Sequence, residues 1–149
     1  MKAAAKRYLV GFVLVDGTSV VNTLSLPARS AADEAAQLEE LHRRTLEVGR
    51  SLAPDHVAIW CNEGRRSSNA YRTACRAEGA VLAALGQGGH DPHEWTLSGL
   101  RKPAGLDSHG TAAQAQSALC ARLDDSPAKD ELCRAAAAAV ATALARGLL

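Results

Sequence analysis

Hydrophobic and polar positions alternate with different periods along the chain, and the changes of period mark the elements. Leu9 to Val15 is an apolar, β-rich run, and after Asp16-Gly17 the stretch Thr18 to Leu26 continues the strand character with Val20, Val21, Leu24 and Leu26. Two such runs joined at Asp-Gly predict a β-hairpin whose type I′ turn needs positive φ at both central residues. Pro27 closes the second strand. Ser30, Asp33 and Glu34 resemble a capping box at a helix start, because a hydroxyl and a carboxylate three residues apart can satisfy the free amides of a first turn. Leu38, Leu41, Thr45, Val48 and Leu52 then recur at spacings of three and four, which gives one buried stripe. Glu39, Glu40, Arg43, Arg44, Glu47 and Arg50 stay on the wet side until Ala53-Pro54-Asp55 ends the helix.

His56 to Trp60 is short, apolar and bounded by turn residues, the pattern of a strand covered on both faces and paired in parallel. A helix follows from Ser67 or Ser68 to Leu85, with Ala70, Ala74, Ala77, Val81 and Leu85 on one face and Gly86-Gln87-Gly88-Gly89 as its stop. Glu94 to Leu97 is a candidate strand and Ser98 to His109 a loop. Thr111 to Leu123 and Asp130 to Arg146 form two more helices, separated by Asp124-Asp125-Ser126-Pro127. The order ββαβαβαα predicts an α/β domain spanning residues 1–149, with a mixed sheet flanked by helices.

Composition narrows the class. A 149-residue chain can bury about 68–70% of its unfolded surface in one domain, and 47% hydrophobic against 22% charged residues excludes a disordered chain. Alanine supplies 31 of the 149 residues, five of them in a row from Ala135 to Ala139, a helix former and packing face with little chemistry of its own. The net charge of +1 leaves no whole-chain nucleic-acid or membrane footprint, so any polyanion site is local. The apolar stretch Ala135 to Leu144 is too short to span a bilayer, and the start of the chain lacks a signal peptide's apolar run and cleavage site. The expectation is a cytoplasmic protein. Cys61, Cys75, Cys120 and Cys133 have no Cys-x-x-Cys spacing and read as buried thiols, not disulfides or a zinc site.

Element order and residues together resemble the RuvC family of Holliday-junction resolvases, which share the RNase H-like fold. The resemblance covers nearly the whole chain. Gly11 to Val21 is similar to that family's second and third strands, Ala53 to Trp60 to the strand that ends in an active-site acid, Arg65 to Leu85 to the long helix after it, and Trp95 to Lys102 to its fifth strand and junction-proximal loop. The family's chemistry needs four carboxylates converging on two divalent ions, which stabilise the attacking and leaving oxygens of a phosphodiester displacement. Carried over position by position, those acids fall on Ala4, Trp60, Asp130 and Cys133, of which only Asp130 is an acid. One carboxylate does not hold two Mg²⁺ against their hydration shells, so the resemblance implies a nuclease-like fold with no catalytic residues, no metal and no cofactor. An indole at Trp60 would fill the metal cavity with apolar volume, and core packing says the same of it. An alternative register makes Leu9 to Val15 the first strand, placing Asp16 at the first-acid position with Glu63 substituting for the strand-end glutamate beside Asp130. That register implies an active Mg²⁺-dependent endonuclease.

Gly64 to Arg76 holds four arginines and no acid, with Ser67, Ser68, Asn69 and Tyr71 among them. Arginine forks and hydroxyls at a helix start suit phosphate, so the DNA-binding candidates are Arg65, Arg66, Ser68, Asn69, Arg72 and Arg76, extended by Arg101 and Lys102; the bland reading pairs these arginines with Glu63 and Glu78 on a solvated face. His90-Asp91-Pro92-His93-Glu94, with Asp107 and His109, has metal-capable side chains but no partner cluster fixed by spacing, and reads as a surface turn. No nucleophile-elbow glycines surround any serine, so nothing supports a hydrolase triad. The resulting expectation is a protein that binds branched or duplex DNA, or a protein partner through the old dimer surface, as a homodimer or a heterodimer with a related subunit. A purely structural subunit of a larger assembly is a further alternative.

Overall fold

The apolar run Leu9 to Val15 and its continuation fold as the expected hairpin. The computed structural model describes residues 9–27, 33–63 and 69–149, and strands β1 (Leu9–Asp16) and β2 (Ser19–Pro27) pair antiparallel with a bulge at Leu14/Val15. The turn is displaced by one residue from the expectation. Asp16 pairs with Ser19, so Gly17 and Thr18 are the central residues, and of these only Gly17 has positive φ, at 59°. That is the requirement of a type II′ hairpin, with glycine first, instead of type I′.

Helix α1 (Glu34–Leu52) begins at Asp33, whose carboxylate accepts the Ala36 N–H at 2.7 Å. The cap is therefore Asp33, and Ser30 lies outside the described residues. Leu41 and Thr45 of the expected stripe are buried, joined by Gln37 one turn earlier. Strand β3 (Ala58–Trp60) pairs in parallel with β4 (His93–Trp95), with Trp60 opposite Trp95. Between them α2 (Asn69–Gln87) buries Ala77, Val81, Ala84 and Leu85. The stretch Ser98 to His109, expected as a loop, instead carries most of a short helix, α3 (Leu97–Arg101), capped by the Thr96 hydroxyl. Helix α4 (Ala112–Cys120) starts at a capping box in which Thr111 and Gln114 satisfy each other's amides. Helix α5 (Asp130–Ala145) buries the alanine run through Ala136, Ala137 and Ala138, as its small side chains predict.

Among the described residues antiparallel and parallel pairing are thus both present, in two two-stranded sheets. Side-chain alternation along the strands divides the core into two. Val13, Val15, Ala58, Trp60 and Trp95 face α4 and α5, whereas Val10, Phe12, Val57 and Ile59 face α1 and α2. The strands form one layer between two layers of helices. Within that layer β1 and β3 run in opposite directions: the start of β1 shares a cavity wall with Ile59 and Trp60, and its end shares one with His56 and the preceding Pro54. The helix layers sit close on the strands, and a Cβ added at Gly11 would lie 2.6 Å from the Glu131 carbonyl oxygen.

Candidate functional site

The end of β3, the start of α5 and the middle of α2 converge, and two of the positions that the resemblance marks, Trp60 and Asp130, lie there around Arg134. Trp60 is 6% exposed, and its ring is covered by the Arg134 guanidinium, whose Cζ is 4.5 Å from the ring centroid. A cation over an indole face is held by the ring quadrupole, more strongly where water is displaced. Arg134 Nη2 also donates to the Cys61 carbonyl at 3.2 Å. Burial lowers the Arg134 pKa, and Asp130, Glu63, Glu78 and Cys61 oppose that shift. Arg134 therefore brings positive charge to this convergence.

Each nearby acid is already engaged. Asp130 accepts from Gln116 Nε2 at 2.9 Å. Glu63 accepts the Leu97 N–H at 2.8 Å, which fixes the entry to α3. Glu78 Oε2 accepts both the backbone N–H and Nδ2 of Asn62, at 2.7 and 3.0 Å. Cys133 packs against Cys120, with the two sulfurs 2.7 Å apart and the Cys120 thiol within 3.1 Å of the Cys133 carbonyl oxygen.

The alternative register does not assemble. Asp16 stands five residues beyond Gly11, or about 17 Å along a strand, and Gly11 is the point at which β1 meets Glu131. Asp16 accordingly lies at the opposite end of β1 from Glu63 and Asp130, against the segment Ala53 to His56. The hairpin tip is held there by Thr18 and Ser19, which donate to Asp124 at 3.0 and 3.3 Å.

Of the family acid positions, Ala4 lies outside the described residues, and the other three are an indole, an amide-bonded carboxylate and a thiol. That set does not fit a pair of Mg²⁺ ions, which demand oxygen ligands in near-octahedral geometry. Among the described residues one other group of metal-capable side chains gathers: the ligand atoms of Cys61, Glu78 and Glu94 lie within 4.8 Å of one another. Burial pushes the Cys61 thiol up to about 12, with further contributions from Glu78 and Glu94, and a thiol is a soft ligand ill matched to Mg²⁺. His90, Asp91, His93 and Glu94 do not converge with Asp107 and His109 in any such group. The described cysteines are all free: Cys120 is buried, Cys61 and Cys133 are half-buried, and Cys75, against expectation, is exposed because it lies on the outer side of α2.

The proposed DNA-contacting residues fall into three sets. Arg65, Arg66 and Ser68 lie outside the described residues. Asn69, Arg72 and Lys102 are exposed. Arg76 and Arg101 serve the fold: Arg76 Nη1 bonds both carboxylate oxygens of Glu34 at 2.8 and 3.0 Å, tying α2 to α1, and Arg101 Nε donates to the Gly110 carbonyl at 3.0 Å. Among the described residues Glu63 and Glu78 bond backbone amides, and the arginine pairing seen is that of Arg76 with Glu34. Arg134 is the residue that reading the sequence overlooks. Its signal is a lone guanidinium just before the alanine run of α5, four residues after Asp130.

No protein-family model matches the chain, and no curated protein does. Among solved structures, Thermus thermophilus RuvC in complex with Holliday junction substrate superimposes with a TM-score of 0.72 and 19% identity, over 97% of this chain and 90% of that one. A second Thermus thermophilus RuvC structure gives 0.70 and 21%, over 95% of this chain and 89% of that one. The chain therefore has the RuvC-like, RNase H-like α/β fold, across nearly its whole length.

Proposed function

We propose that this protein binds DNA, branched or duplex, on a nuclease-like fold that does not cut. The observation that carries the reading is the Trp60–Arg134 stack. Where the resembling family places a metal-binding carboxylate, this chain has a buried indole under a guanidinium. Positive charge near Asp130, Glu63 and Glu78 comes from a side chain, so these acids have less need of a divalent ion. The fold is shared with a RuvC solved on a Holliday junction, and the exposed Arg72, Lys102 and Asn69, continued in sequence by Arg65, Arg66 and Ser68, supply the residue types that grip phosphate. We assign it to the cytoplasm, working as a homodimer or beside a related subunit.

A gel shift on a labelled four-way junction and a matched duplex tests the binding half. Complex formation should weaken steeply between about 50 and 200 mM salt, as counterion release demands, and Arg72→Ala with Lys102→Ala should flatten that dependence. Absence of any shift at low salt overturns the proposal. A second reading, a subunit that meets only protein, is favoured by the net charge of +1 and by Arg76 and Arg101 being engaged within the fold.

A further inference from the structure

Helices α4 and α5 each turn one cysteine towards the other. The Cys120 and Cys133 sulfurs lie 2.7 Å apart, closer than the roughly 3.5–4.0 Å at which even nonbonded carbon atoms rest. Their separation exceeds the length of a disulfide bond by only about 0.7 Å. The Cys120 thiol is also within 3.1 Å of the Cys133 carbonyl oxygen, so nothing separates the two groups, and both are free thiols.

The packing around the pair holds it in register. About one turn before each cysteine the same two helices are joined by Gln116 Nε2, which donates to Asp130 at 2.9 Å. The Cys120 carbonyl accepts from the Ser126 hydroxyl at 2.8 Å, which fixes the end of α4. Closing a bond between the sulfurs therefore asks for a small side-chain movement and no displacement of a helix. The other two cysteines differ in their surroundings. Cys75 is exposed on α2, and the Cys61 thiol faces a carboxylate, Glu94 Oε1, at 3.7 Å.

We propose that Cys120 and Cys133 form a reversible oxidation site, closed to an intramolecular disulfide by a hydroperoxide and reopened by a dithiol. Cys133 is the less buried of the two, and it reacts first. Its sulfur, after losing its proton, attacks one oxygen of hydrogen peroxide. The O–O bond breaks, the departing oxygen takes up the proton and leaves as water, and Cys133 becomes a sulfenic acid. Burial, and then the neighbouring Cys133, raise the Cys120 thiol above its ordinary range, which suits it to the second step. There the Cys120 sulfur attacks the Cys133 sulfur, the S–O bond breaks, and the Cys120 proton leaves with that oxygen as a second water. Two thiols thus give two electrons to one peroxide. In a reducing compartment the pair rests as thiols, where disulfides are mostly transient or redox-sensing. The bond would tie to α4 the turn of α5 that carries Asp130 and Arg134, the cation stacked on Trp60. It would also close the segment that holds Asp124, the anchor of the hairpin tip.

Mild oxidation of the reduced full chain with hydrogen peroxide tests this. After denaturation the thiols open to alkylation should fall from four to two, the intact mass should fall by two hydrogens, and peptide mapping should find Cys120 linked to Cys133. Dithiothreitol should restore all four. In a Cys61→Ser, Cys75→Ser variant the count should fall from two to none, with the chains still monomeric on a nonreducing gel. The linked form should unfold at higher urea than the reduced form, because the crosslink restricts the unfolded chain, and Cys133→Ser should abolish that shift. The proposal is overturned if both thiols survive excess peroxide, if Cys133 runs on to sulfinic acid, or if oxidation joins separate chains. A linked form that unfolds at lower urea than the reduced one overturns it equally, since the native packing then does not accommodate the bond.

Discussion

Replacing Trp60 by alanine isolates what the indole does at a position where the resembling family uses a carboxylate. The side chain is 6% exposed, and burying a large aromatic removes about 150–250 Å² from water. At about 25 cal/mol per Å² that is about 4–6 kcal/mol, an upper bound because the unfolded chain already covers part of this surface. Truncations of buried Phe and Trp to Ala cost about 3–5 kcal/mol, and loss of the half-buried Arg134 stack adds about 1 kcal/mol. A net loss of about 4 kcal/mol is therefore expected, a large share of the 5–15 kcal/mol typical of a domain. At about 2–4 °C per kcal/mol for this chain length, Tm should fall by about 8–16 °C. Urea unfolding followed by fluorescence suits the test, because Trp95 remains as the reporter in the variant. Trp60→Phe, which keeps the aromatic face, should recover most of the loss. If Trp60→Ala unfolds within about 1 kcal/mol of the parent, the indole is not core, and the argument from its burial fails.

Three further expectations follow from other contacts. Thr142→Val should cost about 1–3 kcal/mol in chemical denaturation, since it strands the buried Trp95 Nε1–H that now donates to the Thr142 hydroxyl at 2.9 Å; a neutral result would mean that the indole finds another acceptor. Gly11→Ala should destabilise by about 1–3 kcal/mol in the same assay, because the new methyl meets the Glu131 carbonyl at 2.6 Å. The Cys61 thiol, held up to about 12 by burial and then by Glu78 and Glu94, should resist alkylation through pH 9, and Glu78→Gln with Glu94→Gln should lower its titration midpoint. Because the folded pKa exceeds the ordinary thiol value near 9, its contribution to stability is complete below pH 9 and fades as pH rises from there towards 12.

Much of the fold was legible because the periodicity of the core positions is strong. The hairpin, the stripe through Leu41 and Thr45, the parallel strand ending at Trp60 and the alanine face of α5 all follow from spacing alone. Helix α3 was not legible, since five residues with one buried leucine carry no periodic signal, and its start is fixed by Thr96 and by Glu63 from a distant segment. The hairpin turn slipped by one position because Asp-Gly is the commoner signal, while Gly17-Thr18 satisfies a turn that needs glycine only in first place. At the site, an indole at position 60 and a thiol at position 133, where the resemblance sets acids, were readable from the residues. That Arg134 covers Trp60 was not, because the two are 74 positions apart in the chain and meet only when α5 lies on β3. The partners of Arg76 and Arg101 were not legible for the same reason: Glu34 and the Gly110 carbonyl, which hold them, come from other segments.

The most direct test of the central claim is a cleavage assay run beside the gel shift, on a labelled four-way junction with Mg²⁺, Mn²⁺ or chelator. A retarded complex is expected in all three conditions, with intact strands in every lane. Strand scission that requires the metal and disappears in Asp130→Asn would contradict it, since the carboxylates around Arg134 would then be holding catalytic ions after all.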